Sequence, residues 1–240
     1  MKHEESPIPE ARMDLTAAVG DRSNYLFLGE AGCGKSEIAV NLALALAAEG
    51  EKPVHFFDLD MTKPLFRSRD VADELTAAGV KVHFEEQFMD APTLVGGPSV
   101  LLRDDKSYTI LDVGGDYIGA WAVGVYAPLL RGSDTAAFYV VNSFRPWSME
   151  LKHIDGVLGQ VLGAAKLPLE ALTFIGNPNL GVSTTEADVR AGLQRLRETL
   201  GGLVRIPFAC VSSALWPMED AETPLVPIRL YFTYPWEKTI

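Results

Sequence analysis

Cysteine is nearly absent from this chain: Cys33 and Cys210 are the two among 240 residues, and no CxxC pair occurs. A disulfide framework is excluded, and the pattern suits a reducing cytoplasm. Positive charge is also scarce, with 21 Lys and Arg against 32 Asp and Glu and a net charge of -11. A broad basic face that could follow a phosphate backbone is therefore not expected, and neither is a nucleic-acid partner. The four histidines, His3, His55, His83 and His153, make no metal-binding spacing. No zinc site is expected. No apolar run reaches the roughly 18 residues that a membrane span needs, and the N-terminal MKHEESPIPEARMD lacks the apolar core of a signal peptide. These absences lead to the expectation of a soluble cytoplasmic protein with no membrane contact.

What is present is a chain that is 48% hydrophobic and 22% charged, enough for one well-buried domain. Short β-rich runs alternate with helical patterns, which implies βαβ units around a parallel sheet. The expected strands are residues 24–28 (NYLFL), 53–58 (PVHFFD), 80–84, 108–113 (YTILDV), 136–141, 172–175 and 203–206. Leu151, Ile154, Leu158 and Val161 recur at helical spacing, as do Val189, Leu193, Leu196 and Leu200. Ser183-Thr184-Thr185-Glu186 offers a capping box before the second of these helices. The expectation is a three-layer α/β/α domain over residues 23–240, with a mostly parallel central sheet of about seven strands. Residues 1–22 are expected to form a loosely packed leader or short helix, and residues 85–107 an irregular excursion rich in Pro, Gly and Asp.

The strongest chemical signal lies between the first strand and the first helix, where residues 29–36 read GEAGCGKS and match the phosphate-loop pattern GxxxxGK[ST]. Gly29, Gly32 and Gly34 let the backbone curl with its N–H groups inward, and the helix that follows adds its positive N-terminal dipole. Residues 29–37, that is Gly29, Glu30, Ala31, Gly32, Cys33, Gly34, Lys35, Ser36 and Glu37, are thus the expected nucleotide cradle. Lys35 reaches the terminal phosphates and Ser36 ligates Mg. A thiol at Cys33, if exposed among those donors, would be reactive and shielded by nucleotide.

Two further segments end strands at the same sheet edge. Asp112 closes YTILDV in DVGGD, placed to hold Mg through water, and Gly115 could donate its N–H to a terminal phosphate. Asp116 has two readings, a catalytic residue or the cap of the next helix. FFDLD ends the second strand with Asp58 and Asp60 on one face, where Asp58 suits the Mg shell and Asp60 the orientation or deprotonation of the attacking water. Turn chemistry before Pro64 is the alternative for both.

GEAGCGKS, DLD followed by KPLFRSRD, DVGGD, VNSFRP and GNPNLG, in that order, resemble the MinD/ParA/CobQ-type P-loop ATPases over nearly the whole chain from Asn24 onward. The resemblance implies an ATP- and Mg-binding P-loop NTPase fold related to the nitrogenase iron protein. It also implies that Asn177, after the strand TFIG, reads the adenine edge; no [NT]KxD guanine motif is present. The iron protein's similar DVxGD segment puts Asp116 among the catalytic candidates, while its cluster-ligating cysteines have no counterpart here. These ATPases usually carry a lysine after the first loop glycine that crosses a dimer interface; this chain has Glu30. Either the nucleotide-sandwich homodimer is absent or another cation takes the role, with Arg67 and Arg69 as candidates and solvated helix charge as their alternative.

The function implied is an ATP-dependent switch with slow hydrolysis to ADP, acting on a partner protein such as a metallo- or corrinoid enzyme that it loads or activates. The alternative is a carboxylate-activating enzyme of CobQ type. The aromatic tail RLYFTYPWEKTI reads as packing along the domain's own edge or as a docking segment through Tyr231, Tyr234 and Trp236. Arg145 and Pro146 either border the nucleotide pocket or turn the chain from strand to helix.

Overall fold

The computed structural model describes residues 14–60, 71–84, 97–132 and 134–232. Within them lie α1 (Leu15–Val19), β1 (Asn24–Gly29), α2 (Lys35–Glu49), β2 (Val54–Leu59), α3 (Ala72–Ala77), β3 (Lys81–Phe84), α4 (Gly97–Leu101) and β4 (Tyr108–Val113). They are followed by α5 (Tyr117–Gly124), α6 (Ala127–Leu130), β5 (Thr135–Val141), α7 (Leu151–Ala165), β6 (Leu172–Gly176), α8 (Glu186–Leu200), β7 (Ala209–Ser212) and β8 (Leu225–Ile228).

The strands form one sheet in the order β3-β2-β4-β1-β5-β6-β7-β8, with every described pairing parallel. The continuous apolar runs of β1, β2 and β4 are buried along their whole length, as strands covered on both faces must be. Alternate residues feed opposite layers. Tyr25 and Phe27 join the core with α1 and α2, while Leu26 and Leu28 join the core with α5, α7 and α8. Helix α2 buries Ile38, Ala39, Val40, Leu42, Ala43 and Leu46, so it is a core helix rather than a surface one. α5 and α7 approach so closely that a Cβ on Gly124 would lie 2.3 Å from the Ala164 carbonyl oxygen. The capping box stands two residues later than expected, with Thr185 in place of Ser183 as N-cap: its side chain accepts from Asp188 N while the Asp188 carboxylate accepts from Thr185 N.

Four expectations change. Residues 203–206 are not a strand: Leu203 is exposed, and Pro207, which has no N–H for a ladder, separates this run from β7. The sheet gains β7 and β8, which are four residues each; β8 ends the sheet order, where Pro227 is tolerated. Within the excursion, residues 97–101 form α4. α1, inside the expected leader, buries Leu15 and Val19 in the core and is joined to α2 by the Thr16–Glu49 hydrogen bond of 2.6 Å.

At the other end of the sheet order, the His83 ring of β3 stacks on Phe57 at 4.4 Å between centroids and on His55 at 5.2 Å. Burial, then the neighbouring His55 and Lys81 charges, push its pKa down to about 4 from an ordinary 6.5. Between these values the unfolded chain binds a proton that the folded chain refuses, so stability falls as pH drops through this window. We expect His83→Phe, which keeps the stack and removes the titration, to lose about 1 kcal/mol less stability than wild type between pH 6.5 and 4 in parallel denaturant titrations, after allowance for partial exposure.

Candidate phosphate-binding site

The loop from Gly29 to Gly34 has a shape that only glycine permits at its ends. Gly29, Gly32 and Gly34 have φ of 146°, 75° and 94°. A Cβ on Gly29 would stand 2.6 Å from the Val140 carbonyl oxygen, and one on Gly34 only 2.0 Å from Asn177 Nδ2. Ala31 and Gly32 form the exposed crest. α2 then begins at Lys35, with Gly34 as its N-cap and no side chain capping it. A helix start with no side-chain cap is a place where the helix dipole favours an anion.

Around this helix start the chain buries charge. Lys35 is fully buried, and Ser36, Asp58, Asp60 and Asp112 are each at most 7% exposed. Asp58 and Asp112 are direct neighbours in the register of β2 and β4, and both stand on the sheet face covered by α2, the face of Phe56 and Ile110. Asp60 N donates to Asp58 Oδ1 at 3.0 Å, which fixes the chain just past β2, and Asp60 Oδ1 abuts Gly114. Among the described residues, three buried carboxylates and one buried ammonium gather at this edge, a donor set of the kind that a divalent cation complements. No cluster of three His, Cys, Asp or Glu side chains forms a ready metal cage among the described residues.

The DVGGD segment rests directly on the phosphate loop. A Cβ on Gly115 would lie 2.4 Å from Ala31 N, so the two backbones touch. Asp116 accepts from Gly119 N at 2.9 Å as the N-cap of α5. Of its two readings the geometry displays the cap, and we build no catalytic step on it.

A cleft of about 240 Å3 opens beside the loop, bordered by Ala31, Gly32, Gly34, Ser36 and Glu37 and by Asn142, Arg145, Asn177, Asn179, Gly181, Leu230 and Phe232. Asn177 Nδ2 donates to the Cys33 carbonyl at 2.8 Å and braces the loop, while its Oδ1 is buried without a hydrogen-bond partner among the described residues. The Arg145 guanidinium lies 3.5 Å from where a Gly32 Cβ would be, and its buried Nε likewise has no partner among those residues. Arg145 borders the cleft, Pro146 opens a 3-10 turn over Pro146–Ser148, and the Trp147 side chain of that turn is exposed. Asn142 and Asn179 are joined by a 2.8 Å bond and hold the VNSFRP and NPNLG turns side by side.

Three expectations for the loop are revised. Glu30 does not face the phosphate cradle with its carboxylate, which accepts from Ser148 Oγ at 2.7 Å and Trp147 N at 3.2 Å; only its backbone belongs to the loop. The Cys33 thiol points inward to the core, where its Sγ would be 2.8 Å from a Gly29 Cβ. Glu37 borders the cleft, yet its carboxylate is engaged by the backbone N–H groups of Tyr231 and Phe232. Burial outweighs these two bonds and raises its pKa from 4.5 to about 7. Arg67, Arg69, Tyr234 and Trp236 lie outside the described residues. Asn142, Asn179, Leu230 and Phe232 were not expected at the site. The first two stand in motifs that could have marked them, whereas nothing local marks Leu230 or Phe232.

No family model and no curated protein matches the chain. Among solved structures it is similar to FlhF complexed with GMPPNP and Mg, at 15% identity over 70% of this chain and 60% of that one, with a TM-score of 0.40. It is also similar to the signal recognition particle 54 kDa protein from Aeropyrum pernix K1 in complex with GDP, at 17% identity over 79% and 41% of the chains, TM-score 0.46. A third is the signal recognition particle receptor FtsY from Elizabethkingia anophelis in complex with GDP, at 13% over 80% and 58%, TM-score 0.42. The chain spans less than two thirds of each of these proteins. The likeness is loose, and the MinD/ParA-type resemblance gains nothing from it; the fold stands on this chain's own strand order and phosphate loop.

The buried thiol yields a direct test. Alkylation of Cys33 in the folded protein should be slow, and equally slow with and without saturating Mg-ATP, as read by mass spectrometry of the modified peptide.

Proposed function

We propose that this protein binds a nucleoside triphosphate with Mg, that the nucleotide is ATP, and that slow hydrolysis to ADP makes it a switch acting on a partner protein. The observation that carries the reading is the uncapped start of α2 behind a three-glycine loop, with Lys35 and three carboxylates buried at the same sheet edge. Backbone N–H groups of the loop and the start of α2, other than that of Cys33, which donates to the Glu30 carbonyl, donate to phosphate oxygens, and Lys35 places its ammonium against the terminal ones. Ser36, with Asp58 and Asp112 directly or through water, would hold Mg, which supplies charge neutralisation between the outer phosphates. Asp60 orients the attacking water and accepts its proton as the new bond to the terminal phosphorus forms and the bond to the departing diphosphate breaks. Gly115, pressed against the phosphate loop, couples the DVGGD segment to whether a terminal phosphate is present.

The base contact is assigned to Asn177, which borders the cleft and whose amide nitrogen is committed to the Cys33 carbonyl. Adenine and guanine both carry an exocyclic amino group, so the choice of adenine rests on the resemblance to ATPases and on the missing [NT]KxD motif. The switch reading is supported by exposed large apolar side chains beside the coupled segments. Tyr117, Ile118 and Trp121 lie on α5 directly after DVGGD, and Trp147, Met149 and Leu151 follow the turn that holds Glu30. Apolar groups gathered on a surface in this way are the usual form of a protein-binding face.

Saturating Mg-ATP should raise the melting temperature by several degrees, since ligand at about 100 times its Kd stabilises by about 2.7 kcal/mol. Lys35→Ala should remove the shift, and an equal or larger shift with Mg-GTP would refute adenine. Asp60→Asn is expected to lower turnover at least about tenfold with ATP affinity within a factor of about three, because water positioning acts after the phosphates are held. Loss of binding in that variant would assign Asp60 to the phosphate cradle instead.

A further inference from the structure

The described residues beyond β8, 229–232, have no sheet ladder to satisfy their backbone, and α2 supplies partners from side chains. Asn41 Oδ1 accepts from Arg229 N at 2.8 Å, and Asn41 Nδ2 donates to Arg229 O at 2.7 Å. One helical turn earlier, Glu37 Oε2 accepts from Tyr231 N at 2.8 Å and Oε1 from Phe232 N at 2.9 Å. Glu37 and Asn41 are four residues apart and thus share a face of α2, so together they hold three residues of the segment 229–232, Arg229, Tyr231 and Phe232. Arg229 adds a 3.3 Å contact to Glu74 of α3 and lies 4.9 Å over the Tyr231 ring. The gripped segment presents Leu230 and Phe232, two residues apart, to the cleft beside the phosphate loop.

The same first turn of α2 therefore carries two unlike devices. Lys35 and Ser36 are the residues of the GK[ST] pattern, and Glu37, next in sequence, ties down a wall whose chemistry is apolar and aromatic. A phosphate has no use for such a wall, whereas the flat apolar faces of a nucleoside do. A carboxylate already accepting two N–H groups is also poorly suited to a place against phosphate oxygens, where like charge repels.

We propose that Glu37 and Asn41 form a clamp that positions Leu230 and Phe232 as the nucleoside-binding wall of the cleft, making Glu37 a positioning residue for base and ribose and not a phosphate ligand. The inference rests on the reading of the cleft as a nucleotide site. It gives that site a specificity element that lies some 190 residues away from the phosphate loop in sequence, contributed by the last described segment of the chain.

The experiment compares two probes on the full chain by isothermal titration calorimetry: Mg-ATP, and Mg with inorganic tripolyphosphate, which has the phosphates and no nucleoside. Glu37→Gln, Asn41→Ala and Phe232→Ser are each expected to weaken Mg-ATP binding about fivefold or more while tripolyphosphate affinity stays within about twofold. Phe232→Leu, which keeps the core packing and loses the aromatic face, should show the same selective loss in smaller degree, and it keeps the test open if the serine variant unfolds. A Glu37→Gln variant that loses affinity for both probes alike would make Glu37 a phosphate-site residue and overturn the clamp. Unchanged ATP affinity in all four variants would overturn it as well. A wild-type chain that binds neither probe would remove the nucleotide reading itself, an outcome distinct from wild type binding both with no selective loss in the variants.

Discussion

The structure depends on three stretches of backbone meeting where no methyl group fits. Gly29 lies against the Val140 carbonyl of β5, Gly34 against the Asn177 amide beyond β6, and Gly115 against the Ala31 peptide. Because the contacts are backbone to backbone or backbone to a buried amide, the phosphate loop has little room to relax. A loop held this way keeps its N–H groups aimed before any ligand arrives, so less conformational entropy is lost on binding. The same tightness ties the loop mechanically to its neighbours. A shift at the phosphates cannot leave Gly115, Asn177 or the Glu30-held turn where they were.

Those neighbours differ in what they carry. Gly115 leads through the Asp116 cap into α5, whose exposed Tyr117, Ile118 and Trp121 stand at the surface. Glu30 leads through Ser148 to the turn bearing Trp147 and Met149. Asn177 leads through the NPNLG turn to Asn142 and the Arg145 side of the cleft. Glu37 leads to the segment after β8. On the function proposed above, phosphate state and nucleoside would be read through separate connections. Glu30 illustrates how the chain departs from the resembling ATPases. In place of a cation directed outward, it has a carboxylate turned inward and satisfied by two donors, so the position serves local architecture.

The sequence by itself determined the parallel α/β class, because β1, β2, β4 and β5 are continuous apolar runs separated by helical periodicity. It also determined the phosphate loop, because glycine spacing and an adjoining helix start are local properties. Asp58 and Asp112 were legible as a pair for the same reason: each closes a strand, and parallel register brings strand ends together. What the sequence could not decide were the directions of side chains and the contacts of remote segments. Glu30 and Cys33 turn away from the cradle because a hydroxyl 118 residues on and the core beneath Gly29 receive them. Residues 203–206 are apolar enough for a strand, yet the ladder falls to Ala209–Ser212 and Leu225–Ile228, where partners exist. The apolar wall of the cleft, Leu230 and Phe232, was decided by tertiary structure alone, since only the folded sheet brings the end of β8 to the first turn of α2, where Glu37 can take its N–H groups.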